Sequence, residues 1–253
     1  MLPGDRAQVI RYALYYAPRS DEALAVEASQ WLGYSPDGGR LRPQPRLSML
    51  PPERLSEITA DPRVYGFHGT LKAPIALVDG ATERDFIDAV GRVAVGLRAF
   101  ATPALRLAAL GDFLALVPSD RCDPLQDLAD RCVIEFDEFR RPADEDELAR
   151  RRQAGLTPRQ DQLLLRWGYP YVLEEWRFHL TLTGRIADPS ERDAVKAVVA
   201  QRFRAFIDRP LQVRDLCVFR QPGPGRPFTV LARFQLGGGR VMPVQPVAVW
   251  RAS

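Results

Sequence analysis

Two histidines have nearly the same neighbours, and the 253-residue chain contains no others. His68 lies in YGFHGTLKAP and His179 lies in WRFHLTLTGR, so both stretches contain Phe-His-x-Thr-Leu. Histidine is the side chain that most readily gains or loses a proton near neutral pH, because its ordinary pKa is about 6.5. The repeated pattern therefore indicates two acid–base groups, each with a hydroxyl group close by.

Strand geometry would place each histidine on the same face as its threonine. Side chains alternate between the two faces of a strand, so every second residue points the same way. The polar face of the first strand would carry His68, Thr70 and Lys72, and that of the second strand His179, Thr181, Thr183 and Arg185. The apolar residues between them would point into a core.

Displacement at phosphorus suits this arrangement. The attacking oxygen must lose a proton and the leaving oxygen must gain one, and two facing histidines can do both. Each threonine hydroxyl can donate a hydrogen bond to a non-bridging phosphoryl oxygen, where charge gathers. We expect His68 and His179 to be the catalytic acid–base pair and Thr70 and Thr181 to bind the substrate.

Two charged residues extend the same faces. Lys72 is one of only two lysines, and we expect its compact ammonium group to contact an anionic substrate, with Arg185 as its counterpart in the second strand. The alternative is that Lys72 has already left the strand and only solvates the edge of the cleft, because Pro74 follows so closely.

A tyrosine cluster has two interpretations. Tyr15 and Tyr65, with Tyr12 and Tyr16, could stack against a nucleobase, or they could be packing residues in the core and at the rim. Both interpretations stay open at the level of sequence, and the first makes Tyr15 and Tyr65 candidate substrate contacts.

Other catalytic designs fit less well. A catalytic zinc ion usually has three protein ligands, and neither motif supplies a carboxylate, although a distant Asp or Glu could complete a site. The sequence has no Gly-x-Ser-x-Gly nucleophile motif, no P-loop and no Gly-x-Gly-x-x-Gly, and no cysteine adjoins either histidine. We expect no metal and no cofactor.

Composition sets broad limits. Apolar residues make up 46% of the chain, and the net charge of +3 permits an anionic ligand without demanding nucleic acid. No apolar run approaches the length of a membrane span, and the N-terminus does not resemble a secretory signal. Three cysteines without metal spacing suggest reduced thiols. We expect a cytoplasmic protein.

The predicted elements occur in two similar series. A histidine strand, a helix beginning with Glu-Arg-Asp and a hairpin recur about 110 residues later, as an old duplication would leave them. The predicted strands are 11–18, 66–77, 176–186 and the hairpin arms near 105–119, 211–221 and 226–236; the predicted helices are 20–34, 82–97, 123–139, 144–168 and 189–207; and 35–66 is predicted to be a long loop.

These motifs resemble those of the two-histidine (2H) phosphoesterases, which carry one His-x-Thr motif in each half. The stretches RYALYYAP, YGFHGTLKAP and FHLTLTGR are similar to a bacterial branch associated with phosphonate-metabolism operons. The resemblance implies a bilobal α+β fold over residues 1–253, with two antiparallel sheets flanking a central cleft and helices outside. The residues of this chain that match the family's two His-x-Thr motifs are His68, Thr70, His179 and Thr181.

The resemblance also implies an activity. We expect metal-independent hydrolysis of a cyclic phosphodiester, such as a ribose cyclic phosphate or a 2′,3′-cyclic nucleotide, in phosphonate catabolism. The expected partner is a small phosphorylated substrate, with RNA ends possible. The alternatives are an RNA end-processing phosphodiesterase or ligase, and a nucleotide-binding module without turnover, which would not need an acid–base pair.

Overall fold

The structure is a computed structural model that describes residues 9–238 and 241–242. The N-terminal stretch that we expect not to be a secretory signal lies partly outside these residues, at 1–8. Among the described residues, the strands are β1 (Arg11–Tyr16), β2 (Tyr34–Ser35), β3 (Arg40–Leu41), β4 (Gly69–Ile75), β5 (Phe100–Leu110), β6 (Phe113–Pro118), β7 (Leu180–Thr181), β8 (Pro210–Val213), β9 (Asp215–Gln221), β10 (Thr229–Gln235) and β11 (Val241–Met242).

Eight α-helices occur among the described residues. They are α1 (Ala23–Leu32), α2 (Pro52–Ile58), α3 (Ala60–Tyr65), α4 (Glu83–Val95), α5 (Asp123–Glu135), α6 (Glu145–Arg152), α7 (Pro158–Trp167) and α8 (Pro189–Arg202). Single 3₁₀ turns lie at Asp37–Gly39, Asp137–Phe139 and Leu173–Glu175. The protein is thus a mixed α and β structure, as the sequence predicts.

One antiparallel sheet organises the molecule. Among the described residues it has nine strands, in the order β11-β10-β9-β1-β4-β7-β6-β5-β8, and β2 and β3 form a separate small hairpin. Alternation along β1 sends Leu14 into the main core, where helices cover the sheet, and sends Tyr15 to the other face, where it packs with Phe219 and Phe228. The site described below lies on this second face.

The expectation of two separate sheets is wrong. The strand after His68 and the strand after His179 meet at the middle of the sheet, where Gly69 pairs with Leu180. A Cβ atom at Gly69 would lie 2.2 Å from the Phe178 ring, so only glycine permits this approach without a shift. The backbone therefore continues from β4 to β7 as one sheet, and a duplicated bilobal fold is not shown.

Several local predictions are confirmed. Strand β1, helix α1 and the β5–β6 hairpin lie where the sequence places them, and the hairpin turns at Gly111 and Asp112. Helix α4 begins after Thr82, whose hydroxyl accepts a hydrogen bond from the Asp85 N–H while the Asp85 carboxylate accepts from the Thr82 N–H. Because this reciprocal cap involves only neighbouring residues, the start of α4 could be predicted directly from the sequence.

The predicted loop at 35–66 is wrong over its second half, where α2 and α3 lie. Its prolines suggested irregular structure, but Pro52 occupies the first turn of α2, where proline has no N–H to leave unpaired and favours the helix. Gly66, with φ of 72°, ends α3 immediately before the first histidine motif. The two helices therefore lead directly into the site.

The predicted strand at 176–186 contracts to Leu180–Thr181 in β7. Beyond these residues the chain makes separate contacts, because the Gly184 N–H donates to the Ile58 carbonyl and the Ile186 N–H donates to the Asp112 carbonyl. The alternation of apolar and polar residues is thus present in 176–186, but the backbone pairs as a β-strand only at Leu180 and Thr181.

Three other boundaries differ. The predicted helix at 144–168 is divided into α6 and α7, because Gly155 adopts φ of 73° and Thr157 caps a new helix. The predicted helix 189–207 ends at Arg202. The arm 211–221 is also divided, since β8 pairs with β5 at one edge of the sheet while β9 pairs with β1 and β10.

Replacing Gly69 by alanine should test the contact at the centre of the sheet. We expect Gly69→Ala to lower the free energy of unfolding by roughly 1–3 kcal/mol, because the added methyl group overlaps the Phe178 ring. Urea denaturation measures this change. The control is Gly96→Ala, where the added Cβ would meet nothing closer than 3.6 Å and φ is −80°.

A double variant makes the interpretation specific. In a Phe178→Leu background the ring is gone, so Gly69→Ala should cost clearly less than in the native background. An equal cost in both backgrounds would show that the ring is not what excludes a side chain at residue 69.

Candidate functional site

A pocket of about 350 Å³ opens where β4 and β7 meet. His68 and Thr70 line it from the first motif and Thr181 lines it from the second. Tyr65 at the end of α3 and Phe113 at the start of β6 complete this part of the wall. The sheet thus brings together residues that lie more than a hundred positions apart in the sequence.

The hydrogen bonds of His68 define its tautomer. Its Nδ1 atom lies 2.9 Å from the Gly66 carbonyl oxygen, and because a carbonyl can only accept, Nδ1 carries the hydrogen. The Nε2 atom therefore has a free lone pair, and the Thr70 hydroxyl, 3.2 Å away, can donate to it. The first motif thus presents a neutral imidazole with its basic nitrogen beside a hydroxyl group.

Burial keeps this imidazole neutral. Loss of water lowers the pKa of His68 to about 4, although the hydrogen bond to Gly66 opposes the change and a charge on His179 would add to it. At pH 7 the group is therefore a hydrogen-bond acceptor or a base, not a cation. A bound anion would favour protonation and raise the pKa again.

Aromatic rings hold the His68 imidazole in place. Tyr15 stacks on it with ring centroids 4.0 Å apart, and Tyr65 lies 5.8 Å away at an interplanar angle of 28°. Tyr15 is buried at the pocket wall, and the imidazole stacked on its ring leaves that face closed to a nucleobase. Tyr12 and Tyr16 are buried in the main core, so the packing interpretation holds for these three tyrosines.

His179 repeats the same local geometry. Its Nδ1 atom lies 2.8 Å from the carbonyl oxygen of Arg177, two residues earlier, as the Nδ1 of His68 does with Gly66. Burial again lowers the pKa, against the effect of this hydrogen bond. The ring packs against the pocket-lining Phe113 with centroids 5.7 Å apart, so His179 adjoins the pocket although it is not one of its wall residues.

The remaining residues of the second motif divide between the pocket and the scaffold. Thr181 lines the pocket, whereas the buried Thr183 hydroxyl accepts a hydrogen bond from the Leu114 N–H and ties the chain to β6. Arg185 lies at the rim, exposed, and its guanidinium donates to the Asp112 carboxylate at 2.6 Å. Thr181, Thr183 and Arg185 all line the pocket from the second half, and the Thr183 hydroxyl is already engaged with the Leu114 N–H.

Lys72 does not line the histidine pocket, although the alternation of side chains predicts that it shares the face of His68 and Thr70. Two register shifts insert one extra residue each into β4 opposite β1, so the strict alternation of side chains fails after Thr70. Leu71 then packs in the core, and the buried Lys72 ammonium donates to the Val133 carbonyl of α5 at 2.9 Å. Ala73 and Pro74 occupy the pocket wall instead.

The structure adds residues that the sequence did not indicate. Arg11, Arg151 and Tyr169 also line the pocket. Two nitrogens of Arg11 donate to Gln221 Oε1 at 2.8 and 2.6 Å, which holds the guanidinium at the rim. These residues belong to no local motif and come together only through the fold, so no signal in the sequence identifies them.

Neither a cluster of metal ligands nor a helix that could cross a membrane occurs among the residues that the structure describes. No three His, Cys, Asp or Glu side chains there stand close enough together to hold a metal ion. Within the same residues, none of the helices combines the length and the apolar character that crossing a membrane requires.

Comparison with known proteins gives a family and two relatives. The model of a family described as "Protein of unknown function (DUF1045)" matches residues 70–229, a span that begins at Thr70, two residues after His68, and ends at the start of β10. A protein of Janthinobacterium sp. (strain Marseille), named ribose 1,5-bisphosphate phosphokinase PhnN, is 40% identical over 231 residues, which are 90% of this chain and 51% of that protein.

A second relative carries the same name. It comes from Laribacter hongkongensis (strain HLHK9) and is 34% identical over 221 residues, which are 87% of this chain and 50% of that protein. The chain therefore spans about half the length of the curated relatives it matches.

The expected activity is corrected by these names. We expected a hydrolase that opens a cyclic phosphodiester, whereas both relatives are named as a phosphokinase, which transfers a phosphoryl group. Their common substrate name is a small phosphorylated sugar, which agrees with the expected class of ligand, and neither name refers to RNA. The prediction of a cyclic phosphodiesterase is therefore wrong.

The lowered pKa of His68 predicts how stability depends on pH. The unfolded chain takes up a proton near pH 6.5 and the folded chain only near pH 4, so stability falls as the pH drops between these values. We expect urea denaturation to show a loss of about 2 kcal/mol across this window attributable to His68. His68→Gln should flatten the curve there, and a curve of unchanged slope would contradict the assignment.

Proposed function

We propose that this chain, which belongs to the DUF1045 family, binds a phosphorylated ribose in the pocket at the β4–β7 junction and exchanges a proton with it during phosphoryl transfer. The observation that carries the proposal is the neutral His68, whose free Nε2 atom lies 3.2 Å from the Thr70 hydroxyl in a pocket that Thr181 also lines. The site offers a base and hydroxyl donors together.

The proposed roles follow from these atoms. Nε2 of His68 accepts the proton that the reacting oxygen of the sugar phosphate releases as it bonds to the phosphorus of a phosphoryl donor, while the P–O bond between that phosphorus and the donor's leaving group breaks. The hydroxyl groups of Thr70 and Thr181 donate to phosphoryl oxygens. His179, whose Nδ1 is also held by a backbone carbonyl, supplies the second imidazole. A phosphate dianion in the pocket would raise the pKa of a nearby imidazole, so that this imidazole accepts a proton more readily.

Cations at the rim favour an anionic ligand. Arg11, Arg151 and Arg185 line the pocket together with one carboxylate, that of Asp61. Arg11 is held by a neutral glutamine, so its positive charge is not cancelled by that partner. Arg185 is paired with Asp112 and therefore contributes less net charge. A volume of about 350 Å³ is within the range of pockets for small ligands.

The names of the relatives support the choice of sugar and reaction. Both are called ribose 1,5-bisphosphate phosphokinase, and the matched region includes both histidine motifs. Because this chain spans about half of their length, the proposal concerns only its own share of such a reaction, namely holding the phosphorylated ribose and moving a proton. The name PhnN also fits a role in phosphonate metabolism, which the motifs suggested.

A two-lobed organisation of residues 1–253 would fit the same proposal. In the described sheet, β1, β9, β10 and β11 lie on the side of the first histidine strand, β4, and β6, β5 and β8 lie on the side of the second, β7. In each motif the Nδ1 atom of the histidine is hydrogen-bonded to the backbone carbonyl two residues earlier. These parallels support a distant relationship to the two-histidine phosphoesterases in architecture, without their cyclic phosphodiesterase activity.

Binding measurements test the proposal. We expect ribose 5-phosphate to bind with one-to-one stoichiometry in isothermal titration calorimetry, and ribose alone to bind much more weakly. Thr70→Val should weaken binding of ribose 5-phosphate about 10-fold or more, because it removes a hydrogen bond to a charged group. His68→Ala should weaken it as well.

Thr229→Val is the matched control, since Thr229 lies in β10 and does not line the pocket. It should leave the affinity unchanged. The proposal fails if ribose and ribose 5-phosphate bind equally, or if the two threonine variants have the same effect.

A further inference from the structure

A second and larger cavity adjoins the histidine pocket. Its volume is about 1050 Å³, and it shares five wall residues with the pocket, which are Arg11, Ala73, Pro74, Arg151 and Tyr169. Two cavities with this much common wall lie side by side. A ligand that reached past Ala73 and Pro74 from the histidine pocket would enter the second cavity.

Positive charge predominates on the wall of the second cavity. Three of its lining residues are acidic and six are basic, and the basic ones are Arg11, Lys72, Arg140, Arg141, Arg150 and Arg151. Two of the acids are already engaged, since Asp144 caps α6 and Glu147 pairs with Arg151. The wall therefore keeps an excess of cations that an anionic group would balance.

Lys72 is the buried part of this cationic wall. Its side chain is only 4% exposed, and its ammonium group, which has three N–H donors, donates to the Val133 carbonyl at 2.9 Å. The nearest carboxylate, that of Asp137, lies 3.9 Å away.

Asp137 is shared with two arginines, Arg140 at 2.7 Å and Arg166 at 3.3 Å, so one carboxylate faces three cations. Burial lowers the pKa of Lys72 to about 8 despite Asp137, as expected for an ammonium group whose charge is incompletely compensated. An anion in the cavity would supply the missing compensation.

We propose that the second cavity binds the second phosphoryl group of a bis-phosphorylated ribose whose first phosphoryl group lies at His68 and Thr70. This inference rests on the proposed function, because it assigns the other end of the same ligand. Arg11 and Arg151, which line both spaces, flank the sugar between the two phosphoryl groups. Lys72 and the arginines beyond them neutralise the second group.

The test compares two sugars in calorimetric titrations. Native protein should bind ribose 1,5-bisphosphate at least about 10-fold more tightly than ribose 5-phosphate, as expected for one further charge-assisted contact. Lys72→Met should reduce this preference to about 3-fold or less, while the dissociation constant for ribose 5-phosphate stays within about 2-fold.

Lys196→Met is the matched control. Lys196 lies on α8 and lines neither cavity, so the same chemical change there should preserve the preference. If Lys72→Met does not fold, the double variant Arg141→Gln with Arg150→Gln replaces it, since both side chains are exposed residues of the cavity wall, and it should also lower the preference.

The outcomes are distinct. Two results would overturn the second subsite while leaving the proposed function in place. The first is equal affinity of the native protein for both sugars. The second is an undiminished preference for the bisphosphate in Lys72→Met or, where that variant does not fold, in the double arginine variant. Failure of both sugars to bind native protein would overturn the proposed function and the subsite together.

Discussion

The pairing of β4 with β7 is the contact on which the rest of the site depends. It requires that residue 69 have no side chain, because the Phe178 ring fills the space where a Cβ atom would lie. The pairing places Gly69 opposite Leu180 and so brings Thr70 and Thr181, from distant parts of the sequence, to the wall of one pocket. A single glycine between a histidine and a threonine thus joins the two halves of the sheet.

Desolvation and backbone hydrogen bonds then set the chemistry of the two imidazoles. A carbonyl two residues earlier fixes the hydrogen of each ring on Nδ1, and burial lowers both pKa values, so both imidazoles are neutral bases at pH 7. The cations stand further out, at Arg11 and around the adjoining cavity. An anionic ligand would satisfy both features, because it compensates the cations and favours protonation of an imidazole.

The sequence predicted the parts of the site that depend on local geometry. Alternation along a strand correctly placed Thr70 beside His68, and the Thr82 cap correctly began α4. The same alternation failed for Lys72, because two bulges in β4 cannot be read from residue types. Arg11 and Arg151 were missed because only the tertiary fold brings them to the pocket. The expected reaction was wrong because it rested on resemblance alone, and the names of the relatives indicate phosphoryl transfer.

The most direct test of the central claim is an NMR titration of the two imidazoles with ribose 5-phosphate. The chain has only two histidines, so His68→Gln and His179→Gln assign their resonances without ambiguity. If the two motifs form one phosphate site, both sets of ring resonances will shift with the same dissociation constant and one-to-one stoichiometry. Shifts at only one histidine, or at neither, would contradict a single site built from both halves of the chain.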